Sequence, residues 1–209
     1  MNDLKQLRRN LRAQRHAISA REQRSHSHAM AKRLMRLKPF LHSQRIALYL
    51  SADGEMDPAP ILERAHRMGK TCFLPVLRPR PQRSLWFCEY RPGDQLIPNH
   101  FGIKEPSVRK RPPVPPWGLD LIMLPLVGFD DRGNRLGMGG GFYDRTLAFL
   151  HRRKQWCSPC LIGIAHDCQK IATVPTQSWD IPLHGVVTEA AFYSFVQYGF
   201  RTTETKHNT

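Results

Sequence analysis

The residues able to do chemistry are densest between Leu124 and Arg145. Four glycines fall within five residues there, at Gly137, Gly139, Gly140 and Gly141. Arg135 precedes them, and Tyr143 and Asp144 follow. Glycines carry no Cβ, so successive backbone N–H groups can approach an anion closely. Arg135 can grip a phosphate through two parallel N–H groups. Asp144 offers oxygen to Mg²⁺, which prefers such ligands and commonly arrives with a nucleotide. The stretch therefore has the chemistry of a phosphate cradle. It lacks the Gly-Lys-Ser/Thr ending of a P-loop and the spacing of a dinucleotide fingerprint. A flexible linker would be serine-rich and would lack flanking apolar elements, unlike this stretch.

The flanking sequence supplies the elements that must position these groups. Leu119 to Val127 is apolar except for Asp120 and Pro125, which predicts the end of a buried strand. A charged turn follows over Asp130, Asp131, Arg132, Gly133 and Asn134. Tyr143 to Leu150 has helical character. Strand, glycine loop and helix in that order would aim backbone N–H groups and the positive end of a helix dipole at one ligand.

The run NRLGMGGGFYDR over residues 134–145, with Phe129, Asp130, Arg132 and Gly133 before it, resembles the 5-formyltetrahydrofolate cyclo-ligase family, also called methenyltetrahydrofolate synthetases. The likeness extends over residues 5–190. It implies a three-layer α/β fold and an enzyme that uses ATP and Mg²⁺ to close 5-formyltetrahydrofolate to 5,10-methenyltetrahydrofolate, releasing ADP and phosphate. The resemblance implies a nucleotide site made by Lys5, Arg8 and Arg9 with Arg135, Leu136, Gly137, Met138, Gly139, Gly140, Gly141, Phe142 and Tyr143. Arg135 and Tyr143 are its expected catalytic pair. Leu50, Glu55, Met138, Gly139, Gly140, Gly141 and Phe142 would enclose the folate, and Asp144 with Asp180 would hold Mg²⁺.

Leu4, Leu7, Leu11 and Ala17 follow a helical period, and Ser19 with Glu22 forms a capping box that starts a second helix. Lys5, Arg8, Arg9 and Arg12 make the first helix basic. Family members carry a Lys and an Arg one turn apart on this helix. Lys5 with Arg9 keeps that spacing, whereas counting back from Ser19 favours Arg8. Arg45 to Ser51 reads as a strand, and a helix begins near Pro58. Glu55 lies between them, at a strand's carboxyl end where open α/β sheets bind ligands. In the family a Glu a few residues past such a Leu-Ser strand end binds the pterin. A carboxylate suits that task because the pterin edge offers paired N–H donors. Strands are also predicted at Thr71 to Leu77, Leu85 to Tyr90 and Leu161 to His166. Asp180 stands five residues after Pro175, as in the family's C-terminal element.

Composition limits the alternatives. The 209 residues suit one compact α/β domain: an open, mostly parallel sheet with helices on both faces over 1–197, then a polar, disordered tail over 198–209. No apolar run approaches a membrane span, and the polar start shows no secretory signal, so a cytoplasmic protein is expected. The net charge of +15 invites a nucleic-acid reading, but the cations are scattered and no nucleic-acid motif accompanies them. A basic surface would equally attract ATP and a polyanionic folate tail. Two other readings remain: a basic RNA-binding protein, and an ATP-dependent ligase acting on another carbonyl compound. The five cysteines include a lone C-x-x-C pair, Cys157 and Cys160, for which His166 and Cys168 are conceivable zinc partners. Reduced thiols at a loop–strand junction are the simpler reading.

Overall fold

The computed structural model describes residues 2–78, 83–99, 102–108, 111–152 and 159–195. The tail expected over 198–209 and Cys157 lie outside the described residues. The chain opens with α1 (Asn2–His16) and α2 (Ala20–Leu34). They part where the capping box predicts: Ser19 Oγ accepts from the Glu22 N–H, and the Glu22 carboxylate accepts from the Ser19 N–H. There follow α3 (Lys38–His42), β1 (Arg45–Ala47), α4 (Ala59–Arg67), β2 (Thr71–Leu77), β3 (Leu85–Glu89), β4 (Leu96–Pro98) and β5 (Lys104–Pro106). The second half carries β6 (Leu121–Pro125), β7 (Gly128–Phe129), β8 (Arg135–Leu136), α5 (Phe142–Leu147), β9 (Cys160–Ile164), β10 (Gly185–Val187) and β11 (Phe192–Ser194).

Seven strands form one sheet in the order β11-β10-β9-β6-β1-β2-β3. The five inner strands are parallel, and β11 and β3 add antiparallel edges. The inner strands are mostly apolar because both faces are covered. On one face Met30 and Leu34 of α2, Phe40 of α3, and Ile61 and Ala65 of α4 pack on Ile46, Met123 and Ile162. On the other, Leu147 of α5 joins Phe73, Ile122, Leu124, Leu161, Ile181 and Leu183. The three-layer, mostly parallel arrangement expected from the sequence is the one found.

Two local differences shape the site. The strand expected over Arg45 to Ser51 leaves the ladder after Ala47, although the Leu48 N–H still donates to the Phe73 carbonyl at 3.0 Å. The chain turns off the sheet there to build the loop over 51–57, with left-handed backbone at Asp53 (φ 52°) and Gly54 (φ 74°). Second, the charged turn after β6 is a small hairpin, with β7 paired antiparallel to β8. Asp130 closes it. Burial opposes the charge on this carboxylate, but hydrogen bonds from Val174, Asn134 and Arg132 outweigh that and hold its pKa below the usual range.

A third apolar cluster docks α1 on this hairpin. Leu11, with Leu4 and Leu7 beside it, packs on Val127, Leu136 and Val174. The approach is close: a Cβ on Gly128 would lie 2.8 Å from Leu11 Cδ1. The apolar stripe that predicted the helix thus also determines which of its cations face the glycine loop.

Candidate active site

Residues are about 100° apart around a helix, so Leu4, Arg8, Leu11 and Arg15 lie along one side of α1. Arg8 accordingly reaches the loop, where its Nε donates to the Gly137 carbonyl at 2.8 Å. A Cβ on Gly139 would lie 3.6 Å from the Arg8 guanidinium carbon. Arg9 projects from the opposite side and is exposed, as is Lys5. Of the two alternatives for the arginine, Arg8 is the one whose side chain touches the glycine loop. Docking of the leucine stripe determines which of the two arginines faces the loop.

The glycine loop leads from β8 into α5. Gly139 (φ 95°) and Gly141 (φ 63°) occupy backbone that side chains resist, and Gly141 is the residue from which α5 starts. Helix α5 has only six residues, and a 3-10 turn over 148–152 replaces the rest of the helix expected to Leu150. Leu136 puts its side chain into the α1 dock, leaving its backbone to the loop. Phe142 is half-buried, and Met138 stands 53% exposed at the loop's tip.

Arg135 is nearly buried and forms an ion pair with Asp144, while a second guanidinium nitrogen donates to the Ile181 carbonyl. Burial lowers the Arg135 pKa, and Asp144, Asp180 and Tyr143 work against that fall. Asp144 and Asp180 thus act on the same guanidinium from distant parts of the chain. The turn at Asp180 is set by the Gln177 N–H, which donates to Asp180 Oδ2 at 2.8 Å. This all-oxygen pair suits Mg²⁺.

Glu55 and Tyr143 influence each other electrostatically. Burial raises the pKa of Glu55, opposed by a hydrogen bond from the Ala52 N–H and by Arg15. Burial also pushes the Tyr143 phenol well above its usual value, with Glu55 adding to the shift and Arg135 opposing it. Tyr143 therefore lies within electrostatic reach of both the predicted folate carboxylate and the predicted phosphate arginine. Leu50 is half-buried and packs against the core beneath this loop.

Three residues that hold the Glu55 loop were assigned no role from the sequence. Arg15 is fully buried and donates from Nε to the Asp53 carbonyl at 2.7 Å, with a second nitrogen on the Asp53 carboxylate. Arg12 makes a two-pronged pair with the same carboxylate at 2.8 and 2.9 Å. Gln23 of α2 donates to the Glu55 carbonyl at 2.6 Å. The available signal was the position of Arg15 on the leucine stripe, where a charge must find a buried partner. Of the conceivable zinc ligands among the described residues, Cys160 and His166 stand apart. Cys160 begins β9 and His166 lies two residues beyond its end, a separation of about 20 Å at the strand rise.

A glycine loop, a basic helix side and a half-buried carboxylate thus gather at the carboxyl ends of parallel strands, the usual ligand site of an open α/β enzyme. The chain belongs to the 5-formyltetrahydrofolate cyclo-ligase family, whose model matches residues 1–189. It is 40% identical over 186 residues to the 5-formyltetrahydrofolate cyclo-ligase of Escherichia coli K12, covering 88% of this chain and 100% of that protein. The Haemophilus influenzae enzyme of the same name is 36% identical over 184 residues, covering 87% and 95%. The solved structure of Aquifex aeolicus 5,10-methenyltetrahydrofolate synthetase superposes with a TM-score of 0.77 at 29% identity, covering 98% and 99% of the two chains. Among the described residues no helix is long and apolar enough to cross a membrane.

Proposed function

We propose that the protein uses ATP and Mg²⁺ to close 5-formyltetrahydrofolate to 5,10-methenyltetrahydrofolate, releasing ADP and phosphate. Family membership supports the substrate and the ATP requirement. The observation that carries the site assignment is Tyr143, within reach of both Glu55 on the β1–α4 loop and Arg135 beside the glycine loop. A folate held at Glu55 would then present its formyl group toward a nucleotide held at the glycines.

The formyl carbon is a poor electrophile, and its oxygen a poor leaving group. Transfer of the γ-phosphoryl group to that oxygen corrects both. N10 attacks the activated carbon and loses its proton, and the C–O bond breaks as phosphate departs with the former formyl oxygen. The reaction asks the protein for positioning and positive charge more than for a nucleophile of its own. Arg8 and the amides of Gly139, Gly140 and Gly141 hold the phosphates, with Lys5 as a flexible charge at the rim. Arg135 stabilises the charge on the transferring group. Asp144 and Asp180 hold Mg²⁺, which supplies charge neutralisation to the phosphates. Asp144 already balances the Arg135 guanidinium, so the same carboxylate can serve either cation. Glu55 accepts the paired N–H donors of the pterin edge. Phe142, Met138 and Leu50 enclose the folate rings, and the neutral Tyr143 hydroxyl donates a hydrogen bond between the two substrates.

The test is direct. Protein mixed with Mg-ATP and 5-formyltetrahydrofolate should produce the absorbance of methenyltetrahydrofolate together with equimolar ADP. Loss of product without ATP, with normal turnover of neither substrate alone, completes the assignment. ADP release without the folate chromophore would point instead to a different carbonyl substrate.

A further inference from the structure

Away from the proposed centre, two histidines and a carboxylate converge at the carboxyl ends of β9 and β10. His26 comes from α2, His166 from two residues past β9, and Glu189 from two residues past β10. His26 Nδ1 lies 3.1 Å from His166 Nδ1 and 3.7 Å from Glu189 Oε1. One ligand atom from each of the three lies within 4.8 Å of the other two. Nitrogen and oxygen ligands at about 2.0–2.2 Å from a tetrahedral cation sit about 3.3–3.6 Å from one another, so little movement separates this cluster from a coordination set.

The surroundings are built to hold these groups. Both Glu189 oxygens accept from the Asp167 N–H, at 3.1 and 3.2 Å. Asp167 Oδ1 in turn accepts from Thr188 Oγ1 and from the Tyr193 hydroxyl, each at 2.8 Å. His166 is completely buried, whereas His26 and Glu189 keep side-chain exposures of 27% and 18%, which opens the cluster toward solvent on one side. The buried His166 Nε2 has no hydrogen-bond partner. Coordination through His166 Nδ1 would fix the ring's hydrogen on that Nε2. Metal-bound histidines characteristically use their second nitrogen in this way.

We propose that His26, His166 and Glu189 form a binding site for one late first-row divalent cation, with Zn²⁺ as its natural probe and a fourth position open to solvent. Two imidazoles and one carboxylate select such ions over Mg²⁺, which takes oxygen ligands. The site is separate from the Asp144 and Asp180 pair. Occupancy would tie α2 to the carboxyl edge of the sheet. Gln23, one turn before His26 on that helix, holds the Glu55 carbonyl, so the cation would also stiffen the proposed folate loop.

Calorimetric titration of chelator-treated full-length protein with zinc chloride tests this. One equivalent should bind, magnesium chloride should not compete, and the melting temperature should rise with zinc. His26→Ala and Glu189→Gln should each weaken binding more than tenfold. Both should melt normally without metal, since neither side chain is in the core. Cys168→Ser, which removes the exposed thiol nearby in sequence, should bind zinc like the wild type. Absence of stoichiometric binding overturns the proposal. So does binding that survives both substitutions, or that is lost in Cys168→Ser.

Discussion

At the scale of single residues, Arg8 and Arg9 offer the sharpest comparison. Arg8 donates to the Gly137 carbonyl, while Arg9 faces solvent across the helix. Arg8→Ala should raise the KM for ATP by about ten- to a hundredfold, the size of a lost charge-assisted hydrogen bond. Arg9→Ala should change it by less than about twofold, because an exposed cation is screened. Equal effects in steady-state kinetics would place the nucleotide elsewhere on α1. Glu55→Gln should weaken folate binding in calorimetry and leave nucleotide binding nearly intact, since a neutral amide cannot accept two pterin N–H groups. Burial raises the Glu55 pKa, so wild-type folate binding should fall with decreasing pH sooner than an ordinary glutamate would allow. The Gln variant should lack that dependence. The resemblance singles out Glu55 in the sequence. Arg15 is not marked there, because its meaning depends on Asp53, 38 residues away, and on a positive-φ turn that no local pattern announces.

At the scale of elements, the glycine loop and the carboxylate after it should fail differently. Gly139→Ala and Gly141→Ala force a Cβ into left-handed backbone, at about 1 kcal/mol or more each. At Gly141 the new atom would also lie 2.6 Å from an Arg145 nitrogen. Gly140 has ordinary backbone, and its Cβ would press on the Phe142 ring at 3.0 Å, so the ring must shift. All three variants should lose ATP turnover in a way that added Mg²⁺ does not restore. Asp144→Asn keeps the loop and weakens only the hold on the cation, so raising Mg²⁺ should partly restore its rate. Turnover against Mg²⁺ concentration, with thermal melting as the control for folding, distinguishes the two classes. Normal turnover in folded Gly139→Ala and Asp144→Asn would remove the loop from the nucleotide site. The loop was visible in the sequence because glycine spacing is a local signal. In the sequence the β7–β8 hairpin before it shows only as a turn, since two-residue strands carry no periodicity. The antiparallel edges were equally hidden, because strand direction follows from tertiary packing and not from composition.

At the scale of the molecule, the proposed site holds together through two depressed carboxylates. Asp53 joins α1 to the β1–α4 loop, and Asp130 joins the hairpin to the segment at Val174. The hydrogen bond from Arg12 is the largest influence on Asp53. Burial opposes it, but Arg15 and His16 reinforce it, and the pKa falls to about 2. Because the folded pKa lies below the unfolded value near 3.9, the stabilisation is complete above about pH 4 and is lost as pH falls toward 2. For a partly exposed site, screening leaves about 1–2 kcal/mol of the shift as stability. Asp53→Asn probes this cleanly, since Asn tolerates left-handed backbone and keeps the side chain's shape. Urea unfolding from pH 7 to pH 2 should show the variant less stable than wild type at neutrality, with the two curves drawing together as the pH falls from about 4 to 2. Arg15 would remain buried beside a neutral amide, so the loss at neutrality should reach the upper part of that range. The folate affinity of the variant at pH 7 should fall as well, because the same contacts hold the backbone that presents Glu55. A variant that lost stability but bound folate normally would separate the anchoring of α1 from the shape of the loop, and would shift the work of positioning Glu55 to Gln23 and α2.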